Sequence, residues 1–384
     1  MHIFPIASGK GGVGKSLIAT NLAIALAQAG KEVVLVDLDL GGSNLHLMLG
    51  IPAPRGIGSF LTTPGLSFQD IVRPTQYERL RFVPGDAEIP GVANLTAGQK
   101  KKILSHLRKL HADYLIIDLG AGTHINTLDF FLMSNNGIIV TTPTPTATVN
   151  AYLFLKNVIF RLLYLSCKRG SEGYHYLKRL EKEGKAFQEL YLPKLAELIK
   201  EVDPESYEQF TRSLSSFHPR LILNMLEQPQ DTVRAQRLRR SCQQYLGIDI
   251  EHLGIIYRDD LQDIALSSKL PILVYKPDSV LSQAVYRIAD KLLQIGEEET
   301  SLLDIEEIDE SFQEADVEAQ IDFENKMEYV EELLHTGTLT MGDLVETVKM
   351  QQLEINRLRK ENQFLKAQLV KAMQNGFLPE TRGE

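Results

Sequence analysis

The chain has 384 residues, with 41 Lys and Arg against 50 Asp and Glu, for a formal net charge of −9. That length buries a sizeable core in one large domain or two smaller ones. Its two cysteines, Cys167 and Cys242, stand far apart and without metal-ligand spacing, which excludes a disulfide framework and predicts a reducing, cytoplasmic setting. No apolar run approaches the roughly 18 residues that span a bilayer, and the first strand pattern starts at residue 2, so no leader is expected. Charge is unevenly spread. Residues 297–332 hold sixteen acids and one lysine, residues 333–384 are near neutral, and residues 1–296 are left with about +5.

An apolar run over His2–Ala7 predicts a strand, and the pattern Leu17–Gln28 predicts a helix. Between them Ser8-Gly9-Lys10-Gly11-Gly12-Val13-Gly14-Lys15-Ser16 fits G-x-x-x-x-G-K-[ST] in the strand–loop–helix setting of a phosphate-binding loop. Glycines there let backbone N–H groups close around phosphate oxygens, and the helix N-terminus favours anions. Lys15 is expected at the β/γ-phosphates of a nucleotide and Ser16 on Mg²⁺, with Gly9, Gly11, Gly12, Val13, Gly14 and Leu17 completing the cradle.

Val33–Asp37 follows Gly30 as a second strand, so the sheet is expected to be mostly parallel and flanked by helices. Asp37 and Asp39 fall at its carboxyl end, where open α/β sheets bind ligands. A Pro- and Gly-rich region through residue 96 contains one strand candidate, Leu80–Pro84. Ala97–Leu110 reads as a helix and Tyr114–Asp118 as a buried strand ending in an acid. That acid suits a water-mediated hold on Mg²⁺. Gly137–Thr142 is a further strand, and Ala147–Tyr164 a helix. Residues 168–218 read as a helical insertion with segments 172–183, 185–201 and 204–214, whose apolar positions include Leu190, Leu195 and Leu198. Leu221–Asn224 and His252–Ile256 return to the sheet. Asp231–Tyr245 is a helix bearing Arg234, Arg237, Arg239 and Arg240, and Val280–Leu293 closes the core.

The P-loop contains a second lysine, Lys10. With it, the chain resembles the deviant Walker A ATPases of the MinD/ParA class over residues 3–166 and 219–294. The segments Gly41-Gly42-Ser43-Asn44-Leu45, Gly120-Ala121-Gly122 and Pro143-Thr144-Pro145-Thr146 are similar to its flagellar-number branch, the FlhG/FleN type. The resemblance implies ATP and Mg²⁺ as ligands and slow ATP hydrolysis. It implies that Lys10 reaches across an ATP-dependent homodimer to the other copy's phosphates. It gives Asp39, 24 positions after Lys15, the attacking water. Asp37 and Asp118 join Ser16 around the metal, and Asn224 contacts adenine. The segment Gly254–Asp260 resembles the second base-side loop, with Tyr257 where proline is usual. Cysteines for a bridging iron–sulfur cluster and a C-terminal C-x-x-C are both lacking, which sets aside the nitrogenase-reductase and iron–sulfur carrier relatives.

The tail carries a heptad with Met341, Val348, Ile355, Asn362 and Leu369 at a and Leu344, Gln351, Leu358, Leu365 and Ala372 at d. Thr340 with Asp343 offers a cap. The lone Asn at a, with Glu354 opposite Arg359 and Glu361 opposite Lys366, favours a parallel pair. Pairing with another protein's helix or packing on the core are the alternatives. MinD relatives end in a basic amphipathic helix. The narrow seam and balanced charge here predict no direct membrane insertion, so any membrane location would be peripheral, through a partner. The expected organisation is an ATPase domain over 1–296 with its insertion, an acidic linker over 297–338 and a coiled coil over 339–374. Function is expected in spatial or numerical control of a cellular structure, with flagella and a flagellar protein partner implied by resemblance. Two other readings stay open: a ParA-like partition ATPase touching nonspecific DNA through the arginine cluster, and a coiled-coil scaffold with structural nucleotide.

Overall fold

The apolar runs assemble into one sheet in the computed structural model, which describes residues 1–52, 55–85, 95–183, 192–297, 305–336 and 341–374. Its strands are β1 (His2–Ala7), β2 (Val33–Leu38), β3 (Arg73–Pro74), β4 (Leu80–Val83), β5 (Tyr114–Leu119), β6 (Ile138–Thr141), β7 (Arg220–Leu226) and β8 (Glu251–Tyr257). They lie in the order β3-β4-β2-β5-β1-β6-β7-β8. Every neighbouring pair is parallel except β3 with β4. β2 and β5 are buried at every residue, as expected of parallel strands covered on both faces. The chain leaves β1 toward β2 on one side and later fills β6, β7 and β8 on the other. The carboxyl end of β1 therefore lies at the topological switch point, where such sheets bind ligands.

Labels are given to helices of ten residues or more: α1 (Lys15–Gln28), α2 (Ala97–Leu107), α3 (Pro145–Ser166), α4 (Glu172–Glu183), α5 (Leu192–Val202), α6 (Pro204–Ser215), α7 (Val233–Leu246), α8 (Val280–Glu297), α9 (Ile305–His335) and α10 (Met341–Gln374). One face of the sheet packs α1 and α8 against Phe4, Ile6, Leu35 and Ile116. The other face carries α3 and α7 and the insertion. The insertion is a helical layer, as expected: Leu177, Leu195, Ile199 and Phe210 join one core with Phe154 and Val158 of α3. Leu198 is half-buried, and Leu190 lies outside the described residues.

The expected acidic linker is corrected. Most of it is helix α9, and the first compact unit runs from Met1 to Phe323 rather than stopping at 296. Ile308, Phe312, Ala315 and Ala319 recur at spacings of four, three and four residues and are buried in the same core as α3 and α7. Burying the two large side chains contributes roughly 3–5 kcal/mol. Several acids on α9 are paired with α7 and α8. Asp309 meets Arg239 at 2.6 Å, Glu318 meets Lys291 at 2.9 Å, and Asp322 meets Arg287. Gln236 donates to Asp316 at 3.0 Å. α9 thus covers β8, the edge strand, where the His252 N–H donates to Ser311 Oγ at 3.0 Å. An uncovered edge would offer such donors to another chain.

The second unit, Glu324–Glu384, contains the end of α9 and all of α10. Val348, Ile355, Leu358 and Leu365 of the heptad are exposed in this chain. No helix among the described residues is long and apolar enough to cross a membrane.

His252 is buried under α9, edge-on to Phe312 at 5.1 Å, and neither ring nitrogen has a hydrogen-bond partner among the described residues. Burial, then the nearby Lys291 ammonium, hold its pKa down at about 3. An unfolded histidine titrates near 6.5, so only the unfolded chain takes the proton as pH falls below that value, and stability drops with it. His252→Leu is expected to flatten this acid limb, its advantage over wild type growing by about 2 kcal/mol between pH 7.5 and pH 5. Urea titrations at the two pH values check it, and parallel slopes for the two proteins would refute it.

Candidate functional site

The P-loop joins β1 to α1 and wraps the start of the helix. Gly14 caps α1 with φ of 85°, and a Cβ there would lie 2.3 Å from Asn224 Nδ2. Only glycine allows both this conformation and this approach. A Cβ on Gly9 would meet the Asn150 carbonyl oxygen at 2.0 Å, so α3 also presses on the loop. The Gly122 N–H donates to the Ser8 carbonyl oxygen at 3.1 Å, tying the loop to the segment after β5.

Parallel pairing sets Asp37 of β2 beside Asp118 of β5. Both carboxyls are buried. Lys15, also buried, forms an ion pair with Asp118 Oδ1, and its Nζ lies 3.3 Å from Ser16 Oγ. Burial pushes the Asp118 pKa up against the pull of Lys15. Asp37 accepts hydrogen bonds from Ser43 Oγ at 2.6 Å and from the backbone N–H groups of Asp39 and Leu45 at 3.1 and 3.3 Å. Burial, then the neighbouring Asp118, raise its pKa to about 7 in spite of these donors. Asp39 is half-buried, and a Cβ on Gly120 would sit 3.2 Å from its Oδ1. Lys15, Ser16, Asp37, Asp39 and Asp118 therefore converge at one carboxyl edge. Their oxygens are the hard donors that Mg²⁺ prefers, a metal that keeps several waters and takes few protein ligands.

A cleft of about 370 Å³ opens beside the loop, lined among others by Lys10, Gly12, Thr144, Met225, Asp231 and Arg258. Lys10 is exposed at its lip. Thr144 caps α3 by accepting from the Ala147 N–H at 3.4 Å. Arg258 belongs to the segment that resembles the second base-side loop, whereas Met225, Glu227 and Asp231 carry no motif in the sequence. Their signal is a bulge: the β7–β8 register shifts between Asn224 and Leu226, and Met225 adopts φ of 60°. A non-glycine residue in that region is strained, and such strain gathers at functional sites. The bulge aims Asn224 at the loop, where its Nδ2 donates to the Val13 carbonyl oxygen at 2.8 Å.

Two sequence expectations change. Tyr257 does not face the cleft: its ring is buried and its hydroxyl donates to the Ala319 carbonyl oxygen of α9 at 2.8 Å. The arginine cluster is not one solvated patch, since Arg239 is taken by Asp249 at 2.7 Å and by Asp309.

Asp37 holds a proton in the folded chain up to about pH 7 and in the unfolded chain only to about pH 4. The folded state therefore binds the extra proton between those values, and stability falls as pH rises through the window. Asp37→Asn removes that loss. In buffer free of nucleotide and divalent cation, its stability relative to wild type is expected to improve by at most about 4 kcal/mol from pH 4.5 to pH 8.5. A difference that stays constant across pH in denaturant titrations would contradict the assignment.

A family profile described as ParA, NUBPL iron-transfer P-loop NTPase, matches residues 1–158. The flagellum site-determining protein YlxH of Helicobacter pylori is 34% identical over 158 residues, which is 39% of this chain and 51% of that protein. The alignment thus spans about half of that relative's length. The antiactivator FleN of Pseudomonas aeruginosa is 26% identical over 233 residues, covering 56% of this chain and 82% of that one. The septum site-determining protein MinD of Pyrococcus horikoshii, solved in complex with Mg-ADP, has the same fold. Its TM-score is 0.53 at 22% identity, over 78% of this chain and 99% of that one. Residues 1–158, which hold the P-loop and both strand-end acids, thus match the ParA-type P-loop NTPase profile, and the chain has the fold of the MinD structure.

Proposed function

We propose that the chain is a slow, Mg²⁺-dependent ATPase that works as a nucleotide-driven homodimerisation switch. Its output would be control of the position or number of a cellular structure. Flagella are the structure favoured, on the names of the Helicobacter and Pseudomonas relatives. The observation that carries the reading is the division between two lysines of one loop. Lys15 is buried against Asp118, in place for phosphates in its own site, whereas Lys10 stands exposed at the lip of the cleft. A cation there is free to neutralise phosphate charge presented by a second copy, and phosphoryl transfer depends on that kind of charge stabilisation.

Within one site, backbone N–H groups of Gly11 to Gly14 and the start of α1 would bind phosphate oxygens. Ser16 would ligate Mg²⁺, with Asp37 and Asp118 holding its waters. The metal, when bound, neutralises charge on the β- and γ-phosphates. Asp39, beside Gly120, would orient the attacking water. Met225 and Arg258, which line the cleft, would meet the base, and Asn224 secures the loop at Val13. The iron transfer named in the family profile lacks residue support here: Cys167 and Cys242 are buried free thiols far apart in sequence, and no C-x-x-C occurs.

The switch is tested on a chain ending at His335, which keeps the whole first unit and the whole of α9, with Asp39→Ala to slow hydrolysis. Light scattering is expected to give a monomer in Mg-ADP and a dimer in Mg-ATP. Lys10→Ala should keep nucleotide binding and lose the ATP dimer. A mass that ignores nucleotide would sink the proposal.

The α10 heptad is proposed as a parallel tether between two copies. The exposure of Val348, Ile355, Leu358 and Leu365 supports it, as do the complementary signs of Glu354 with Arg359 and Glu361 with Lys366. The full chain should then be dimeric in ADP as well, and Leu358→Lys with Leu365→Lys should return it to monomer. A full chain already monomeric in ADP at micromolar concentration would remove the tether.

A further inference from the structure

β8 has two ends of different character. Its last residue, Tyr257, turns its ring toward α9, and the next residue, Arg258, lines the cleft. The Tyr257 hydroxyl is held by the Ala319 carbonyl oxygen, and its ring lies 6.1 Å from Phe323. The Arg258 N–H donates to the Leu226 carbonyl oxygen at 2.9 Å, which fixes Arg258 against the bulge that contains Met225. One residue further back, Asn224 holds the P-loop at Val13. The path from α9 to the phosphate loop is therefore two adjacent strand ends, joined by backbone hydrogen bonds.

A second path runs parallel to it. α7 follows directly on a 3-10 turn, Pro229–Thr232, which contains the cleft residue Asp231. Asp231 accepts from the backbone N–H groups of Glu227 and Gln228 at 3.0 and 3.2 Å, so it shapes that wall. On α7, Arg239 and Gln236 are the residues bound by Asp309 and Asp316 of α9. Both elements that supply the base side of the cleft are thus braced by the same helix. Tyr257 and α7 are thus two routes by which α9 can influence the site.

We propose that Tyr257 is a positioning residue for the nucleotide site and that docking of Ile305–Phe323 on the β8 edge and nucleotide binding in the cleft stabilise each other. The proposal rests on the reading of the cleft as a nucleoside phosphate site. Undocking α9 frees Tyr257 and the α7 donors Gln236 and Arg239, the strand end carrying Arg258 relaxes, and the site loses pre-organisation on its base side. Reciprocally, a bound nucleotide that fixes Arg258 and Met225 favours the docked helix. The coupling factor must be the same in both directions. Since the chain runs on from α9 into the second unit, nucleotide state would reach the dimer-forming tail through this helix.

The test uses the full chain and the fluorescent analogue mant-ADP with Mg²⁺. Tyr257→Phe removes only the hydroxyl and is expected to weaken binding about threefold. Phe312→Ala, which loosens the docked helix, is expected to weaken it about tenfold, and Phe312→Leu should recover most of that loss. ATP turnover at saturation should change less than the affinity. The reciprocal measurement needs no substitution: amide hydrogen exchange over residues 308–322 of the wild type should slow by a similar factor when Mg-ADP is added. If wild type binds mant-ADP while the variants bind it equally well, or if exchange over 308–322 ignores nucleotide, the coupling is refuted and the site stands. If wild type does not bind mant-ADP at all, the site reading falls and the coupling falls with it.

Discussion

One ammonium and two carboxyls are buried side by side at the carboxyl edge of a parallel sheet: Lys15, Asp118 and Asp37. Such a set is expensive to desolvate, and removing Lys15 would leave its carboxyls uncompensated. Its persistence explains much of the surrounding architecture. The Asp39–Leu45 turn supplies three donors to Asp37. The strand pairing that sets Asp37 beside Asp118 is fixed by six residues of matched register between β2 and β5. Even so, Asp37 is pushed up to about 7, so the donors fall short of balancing its burial and its acidic neighbour. A site left short of positive charge is suited to a divalent cation bound with phosphate, where both the metal and the helix N-terminus add the field that the protein alone lacks.

The charge distribution has a related explanation. An acidic stretch of −15 next to a core of about +5 looks like a solvated linker when only composition is considered. In the fold, the acids of α9 face Arg239 on α7 and Arg287 and Lys291 on α8. α7 and α8 lie on opposite faces of the sheet, so one helix laid along the β8 edge meets both. Charge complementarity and edge protection are served by the same segment, and the His252 N–H that an edge strand would leave open is satisfied by Ser311.

These points show what was legible in the sequence. The P-loop, its two lysines and the strand-end acids were readable because short linear spacing fixes their geometry: a strand, a glycine turn and a helix start leave few arrangements. Three features depended on contacts between distant residues and were not readable in that way. One is the hold of the Asn224 amide on Val13, set by the bulge at Met225. Tyr257 was placed at a base-side loop, yet it anchors α9. The apolar stripe Ile308, Phe312, Ala315 and Ala319 was present at helical spacing but diluted by the acids between its members, so mean polarity hid a buried face.

The energetics of α9 fit a helix that moves more readily than the rest of its unit. Two of its buried contacts are alanines, which contribute little area, while Ile308 and Phe312 are buried and Phe323 is half-buried. The Asp309 and Glu314 side chains are 56% and 62% exposed where they meet Arg239 and Lys291, and ion pairs so open to solvent contribute at most about 1 kcal/mol. Asp322 is different. It is 1% exposed, burial raises its pKa, and Arg287 opposes that rise. Breaking this pair inside the core would be strongly destabilising, whereas breaking it by lifting the whole segment rehydrates both charges together. The docked helix therefore resists being damaged piecemeal but can leave as a unit. A modest apolar anchor, weak outer ion pairs and one buried pair that separates only with the segment give a docking free energy small enough for nucleotide binding to shift.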